Sequence, residues 1–154
     1  MARRFVFRLQ TLLKVRELRE REARRKVGAK QAEIARLDQL NRQTAQEIQR
    51  CQAELRGCQR GHLHPAELTR RRAWIAYLRQ TIAQRQAQRV ELVAQLEQLL
   101  REWRTVRTQH RIIEKLREKR YDEYRRELRR SEQAASDELA RQLQVYAAAE
   151  AESG

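Results

Sequence analysis

The side chains best suited to chemistry in this chain are two cysteines, Cys51 and Cys58, and three histidines, His62, His64 and His110. His62 and His64 form an H-x-H pair that could offer two imidazole nitrogens to a zinc ion. Such a site needs at least a third protein ligand, and none lies nearby, so the pair reads as turn residues and no metal is expected. Cys51 and Cys58 stand seven residues apart. On one helix that places their Cα atoms roughly 10 Å apart, beyond disulfide reach. They read as small apolar core residues, although two parallel copies of the chain could cross-link through them. His110 falls on the apolar seam traced below and reads as a packed residue. No phosphate loop, nucleophile motif or metal-ligand cluster appears. A two-helix protein also offers no concave pocket. We therefore expect no catalysis, no cofactor and no small-molecule substrate.

The elements that carry these residues follow from composition and periodicity. Charged residues make up 36 % of the 154-residue chain, which has one Pro, four Gly and only 5 % aromatics. Such a chain is too poor in large apolar residues for a compact core and belongs with coiled coils and long helices. The strongest punctuation is Arg60-Gly61-His62-Leu63-His64-Pro65. Gly61 suits the left-handed position after a helix end, Pro65 suits the first turn of a new helix, and Glu67 complements its dipole. Before it, Val27, Ile34, Asn41, Ile48 and Leu55 recur every seven residues, with Ala23, Lys30, Leu37, Thr44, Cys51 and Cys58 as the companion row; these are a and d positions. After it the seam runs Leu68, Ile75, Leu78, Ile82, Arg85, Arg89, Leu92, Leu96, Leu99, Trp103, Val106, His110 and Ile113. It then shifts frame to Leu116, Tyr121, Tyr124, Leu128, Ala135, Leu139, Leu143 and Tyr146.

The expected fold is all-α, a long two-helix antiparallel coiled-coil hairpin forming a single domain over 1–154. Helix 1 spans about 5–60, the turn 61–65 and helix 2 about 66–146, with a frayed tail at 147–154. Folding about the turn puts residue i opposite roughly 124 − i, so helix 2 is the longer and overhangs helix 1 by on the order of 40 Å. Polar seam residues such as Lys30, Asn41, Thr44, Arg85 and Arg89 set register at a cost in stability.

Charge is unevenly spread over a net +14. Residues 1–30 carry 11 basic and 3 acidic groups, a net of +8, and residues 101–130 carry 12 and 6, a net of +6. A hairpin brings these segments together as a basic end opposite the turn, fit to steer an acidic partner. A solvated Arg/Glu surface with i,i+4 pairs gives the same composition. Nucleic acid is an acidic partner too, but no helix-turn-helix, zinc-finger or bZIP signature is present and the aromatics form no stacking platform, so nucleic acid is not the expected partner. No apolar run of about 18 residues could span a membrane. Arg3-Arg4-Phe5 resembles a twin-arginine start, but Arg8, Lys14, Arg16 and Arg19 interrupt any apolar core behind it; the chain reads as cytoplasmic.

Three segments together resemble the flagellar type III export protein FliJ family. The first is Phe5-Val6-Phe7-Arg8-Leu9-Gln10-Thr11-Leu12-Leu13-Lys14-Val15-Arg16. The second is Ile113-Glu114-Lys115-Leu116-Arg117-Glu118-Lys119-Arg120 followed by Tyr124. The third is Glu132-Gln133-Ala134-Ala135-Ser136-Asp137-Glu138, where Ala134 stands in place of a common Lys. The resemblance implies a soluble two-helix coiled coil, similar in shape to the central stalk of rotary ATPases. It would bind and stimulate the hexameric export ATPase, couple it to the membrane export gate protein and assist export chaperones, at the inner face of the cell membrane at the flagellar base. It implies an ATPase-side surface at Phe5, Phe7, Arg8, Leu9, Arg16, Glu132, Gln133, Asp137 and Glu138. It implies a gate-side stripe at Trp74, Leu78, Thr81 and Arg85, with Thr81 in place of a smaller residue and Arg85 in place of a His. Phe5, Leu9, Leu12 and Leu116 also fit simple closure of the hairpin. Trp74 also fits a position flanking the seam beside Ile75, and Leu78 is itself a d residue. A basic nucleic-acid-binding coiled coil and a generic scaffold, including an injectisome stalk protein, are the alternatives that share this helix pattern.

Overall fold

A computed structural model describes residues 4–58, 61 and 64–153. The described chain holds two α-helices, α1 (Gln10–Cys58) and α2 (Pro65–Glu152), and no strand. Residues 4–7 are non-helical and Arg8–Leu9 form a turn, so α1 starts later than expected. The Gln10 amide donates to the Phe7 carbonyl at 3.1 Å and the Leu13 amide to the Leu9 carbonyl at 2.9 Å, and the first turn of α1 has no acidic residue to offset its dipole. The start of α2 is better capped. The His64 carbonyl accepts from the Glu67 and Leu68 amides at 3.0 and 3.2 Å, Pro65 takes the position where no N–H is needed, and Glu67 supplies the acidic charge. At the end of α1, Gly61 does not adopt the expected left-handed backbone. Its amide instead donates to the Cys58 carbonyl at 3.1 Å, a tight i→i−3 closure that satisfies one orphan carbonyl without positive φ. His62 and Leu63 of the expected turn, with Arg3 and Arg60, lie outside the described residues.

The chain divides into two compact units, and both helices contribute to each: Arg19–Val106, and Met1–Leu18 with Arg107–Gly154. In the Arg19–Val106 unit, α1 and α2 run antiparallel. Asp38 faces Arg89 and Glu54 faces Arg71, close to the expected 124 − i rule. The core forms two small clusters. Ile34, Leu37 and Leu92 pack with Val93 and Leu96; Ile48, Ile75 and Leu78 pack with Cys51, Leu55 and Ile82. All of these lie on the seam except Val93, which flanks it.

Between the clusters the seam is polar. The Arg85 Nη1 donates to the Thr44 Oγ1 at 2.8 Å, and that hydroxyl donates to the Leu40 carbonyl at 2.9 Å. Asn41 Oδ1 is buried with no hydrogen-bond partner. A buried polar group left unpaired costs stability, so this layer carries register information at an energetic cost.

In the unit of the two ends, Arg16 Nη1 donates to Gln109 Oε1, again antiparallel. Phe5 packs edge-on against Tyr121, with centroids 5.2 Å apart and planes at 75°, and 5.5 Å from Tyr124. Pairing therefore reaches Tyr121 and Tyr124, past the position near 119 that the 124 − i rule gives opposite residue 5. An extended segment advances about 3.3 Å per residue against 1.5 Å for a helix, so non-helical residues 4–7 reach farther along α2 than a helical turn would. Beyond Leu128 every described side chain is exposed. The helix nevertheless continues to Glu152, past the expected end near 146.

Candidate functional site

The residues singled out at the two chain ends separate into three situations. Phe5 and Phe7 are half-buried, Phe5 within its cluster with Tyr121 and Tyr124. Arg16 is likewise half-buried and spent on Gln109. Phe5 and Arg16 close the two ends together, and Phe7 lines the concavity described next. Arg8 and Leu9 are exposed and, with Val6, Leu116, Arg120 and Glu127, line an open concavity of about 520 Å³ between residues 5–9 and α2. The expectation of no concavity is thus corrected. The non-helical start lies across α2 as a second wall, which a pair of ideal helices would lack. Glu132, Gln133, Asp137 and Glu138 sit on exposed helix. Their hydrogen bonds are local, Gln133 to Asp137 at 3.0 Å and Gln142 to Glu138 at 3.3 Å. The structure does not bring them against residues 5–16.

On α2 after the turn, the four singled-out residues do not share one exposed face. Trp74 is 45 % exposed, while Leu78 is 6 % exposed and sits in the core with Ile48 and Ile75. Arg85 is half-buried and turned into the seam toward Thr44. Thr81 is half-buried and its hydroxyl donates back to the Tyr77 carbonyl at 3.0 Å. The residue that joins Trp74 on the surface is Tyr77, 58 % exposed, its ring stacked on the indole at 5.4 Å and 22°. The signal for Tyr77 was present in the sequence, since positions i and i+3 share a helix face.

Trp74 is held from its polar edge. Its Nε1 donates to Glu47 Oε1 on α1 at 3.3 Å, while the indole packs against the Tyr77 ring. Beside the rings, Arg71 binds Glu54 at 3.1 Å and Glu67 at 3.3 Å. The hydrogen bond to Glu67 holds the Arg71 guanidinium above its ordinary pKa. A second open concavity, about 660 Å³, lies over this face. Cys51 and Cys58 are half-buried free thiols, Cys51 packed at the core's edge.

Among the described residues, no helix is long and apolar enough to cross a membrane. No curated protein and no solved structure matches the chain. The family model described as flagellar FliJ protein matches residues 5–147, taking in all three motif segments and both α2 surfaces. The chain belongs to the FliJ family, whose members are non-catalytic components of the flagellar export apparatus.

Proposed function

We propose that this chain acts as a coupling factor in flagellar protein export. It binds the hexameric export ATPase through its paired ends and raises its ATP hydrolysis. It contacts the membrane export gate protein through α2 just after the turn, and it assists export chaperones. Its place of action is the cytoplasmic face of the membrane at the flagellar base. The observation that carries this reading is the family match across residues 5–147, which spans both the ends and the α2 face.

The physical chemistry supports it. Residues 4–18 and 107–128 meet in one unit with an excess of Arg and Lys over Asp and Glu, a surface that attracts an acidic ring interior or rim. Beyond Leu128, no described residue of this chain covers α2, and Leu139, Leu143 and Tyr146 are 61–71 % exposed, an apolar stripe of the kind that partner helices cover. The test is to titrate the purified chain into the same organism's export ATPase and follow phosphate release. A saturable rise in rate is expected. An unchanged rate at saturating chain, with both proteins folded, removes the ATPase role.

A further inference from the structure

From Ser131 to Ser153 every described side chain is exposed, yet α2 stays helical to Glu152. Most helical stability in proteins comes from packing an apolar face, and this stretch has one with nothing described against it. Leu128, Ala135, Leu139, Leu143 and Tyr146 follow one another at steps of seven, four, four and three residues. At about 100° per residue those steps keep all five on one side of the helix, along about 27 Å. Leu139, Leu143 and Tyr146 are 61 %, 69 % and 71 % exposed.

The charge along the stripe is polarised. Residues 125–130 hold four arginines and one glutamate, a net of +3, and no basic residue follows Arg141, whereas Glu150 and Glu152 do. Arg125 and Arg129 precede Glu150 by 25 and 21 residues, close to whole numbers of helical turns, so all three run along the same flank of the stripe. A face that is basic at one end and acidic at the other is complementary to itself turned end for end. That is the relation a two-fold axis imposes between identical chains.

We propose that the occupant of this stripe is a second copy of the chain, its own residues 128–152 laid antiparallel. With Leu139 facing its counterpart at the axis, residue i lies opposite roughly 278 − i. Each Ala135 then receives a Leu143, small against large, and Arg125 and Arg129 meet the other copy's Glu150. Residues flanking an apolar seam set the orientation of its partner. A parallel pair would instead crowd both arginine clusters together. The fit also respects the rest of the unit. The second helix ends, at its Glu152, opposite about residue 126, so Phe5 keeps its contacts with Tyr121 and Tyr124. A stripe this short buries less than a standard interface, which makes the dimer weak and reversible. This inference goes beyond the export role and does not depend on the ATPase or gate contact.

The test is sedimentation of the full-length chain in reductant, from about 5 µM to about 500 µM, where a Kd between about 1 µM and 1 mM gives a rising share of dimer. Leu139→Lys sets two like charges face to face at the axis and should weaken the dimer about tenfold or more. Arg129→Glu should weaken it about threefold or more, and adding Glu150→Arg should bring it back within about twofold of the wild type. Circular dichroism should show unchanged helicity in each, since the substituted side chains are exposed. In a Cys51→Ser and Cys58→Ser background, Ala135→Cys mixed with Leu143→Cys should form a disulfide between copies, and neither should do so alone, because like positions lie about 12 Å apart along the axis. A chain that stays monomeric throughout overturns the inference. So does a dimer that Leu139→Lys leaves within twofold of the wild type, or Ala135→Cys cross-linking to itself, the mark of a parallel pair.

Discussion

Replacing the polar layer at the middle of the seam should make the protein more stable. Thr44 is 9 % exposed and sits between the two apolar clusters, opposite the half-buried Arg85. In the double variant Thr44→Val and Arg85→Leu, a methyl replaces the hydroxyl and an apolar side chain replaces a guanidinium that has been partly removed from water. Full burial of a Leu contributes about 1.5–3 kcal/mol. Arg85 already covers part of that surface with its methylene stem, so the gain at this position is about 1 kcal/mol. The Val methyl adds roughly another 1 kcal/mol, against the loss of the neutral–charged hydrogen bond, about 1.5 kcal/mol; the Leu40 carbonyl also loses the Thr44 hydroxyl and the long Arg85 contact but keeps its helical amide partner, so those losses are small. Relief from desolvating the guanidinium offsets most of that last loss. The net expectation is about +1 to +2 kcal/mol, or a rise of about 0.5–1 M in the urea midpoint at an m-value near 2 kcal/mol/M. The assay is urea unfolding followed at 222 nm, with light scattering to confirm that the variant keeps the wild-type oligomeric state. The single variant Thr44→Val should lose about 0.5–1 kcal/mol, because Arg85 loses its 2.8 Å acceptor and keeps only the Leu40 carbonyl at 3.5 Å. A double variant less stable than the wild type, at the same oligomeric state, would refute the view that this layer trades stability for register.

Other consequences follow from the same geometry. Leu92→Ala, which empties the centre of one apolar cluster, should cost about 2–3 kcal/mol in urea unfolding, the low end for such truncations because no side chain here is fully enclosed. Gly28→Ala should stabilise by about 1 kcal/mol, since an added Cβ meets nothing within 4 Å and the backbone is helical; a lowered urea midpoint would count against the helix at that position. Phe5→Ala should loosen the ends locally, by about 1–2 kcal/mol for half-buried aromatic contacts with Tyr121 and Tyr124. Hydrogen exchange should then speed up at residues 10–18 while residues 27–48 are unaffected, and equal acceleration in both stretches would show that Phe5 does not act locally.

The repeat of apolar residues was the most legible feature of the sequence. The a/d rows on both sides of the turn contain every described residue that is buried, from Val27 to Ile48 and from Ile75 to Leu92. The antiparallel pairing could be deduced from one Gly–Pro punctuation, and Asp38 with Arg89 agrees with it. What pattern alone did not convey were departures caused by tertiary contact. Residues 4–7 carry helix-compatible types, yet Phe5 gains two ring contacts by leaving the helix, which local propensity does not register. Gly61 closes its turn without positive φ because the Cys58 carbonyl accepts its amide. The gate-side stripe illustrates a matter of phase. Leu78 was already assigned to the seam by its spacing, and a seam residue is covered by the opposite helix, so Tyr77 is the one left outside.

Everything proposed for the chain ends depends on residues 5–9 lying against α2 near residue 120. Spin labels at Arg8→Cys and Arg120→Cys, in a Cys51→Ser and Cys58→Ser background, measure that directly, because both positions line the same concavity. Packed neighbouring elements lie about 8–10 Å apart, so with label arms the two spins should sit about 15–25 Å from one another. A single continuous helix, or two helices running the same way, would separate them by on the order of 80 Å or more. A distance in that range would contradict the account, and the shared basic surface at the chain ends would be lost with it.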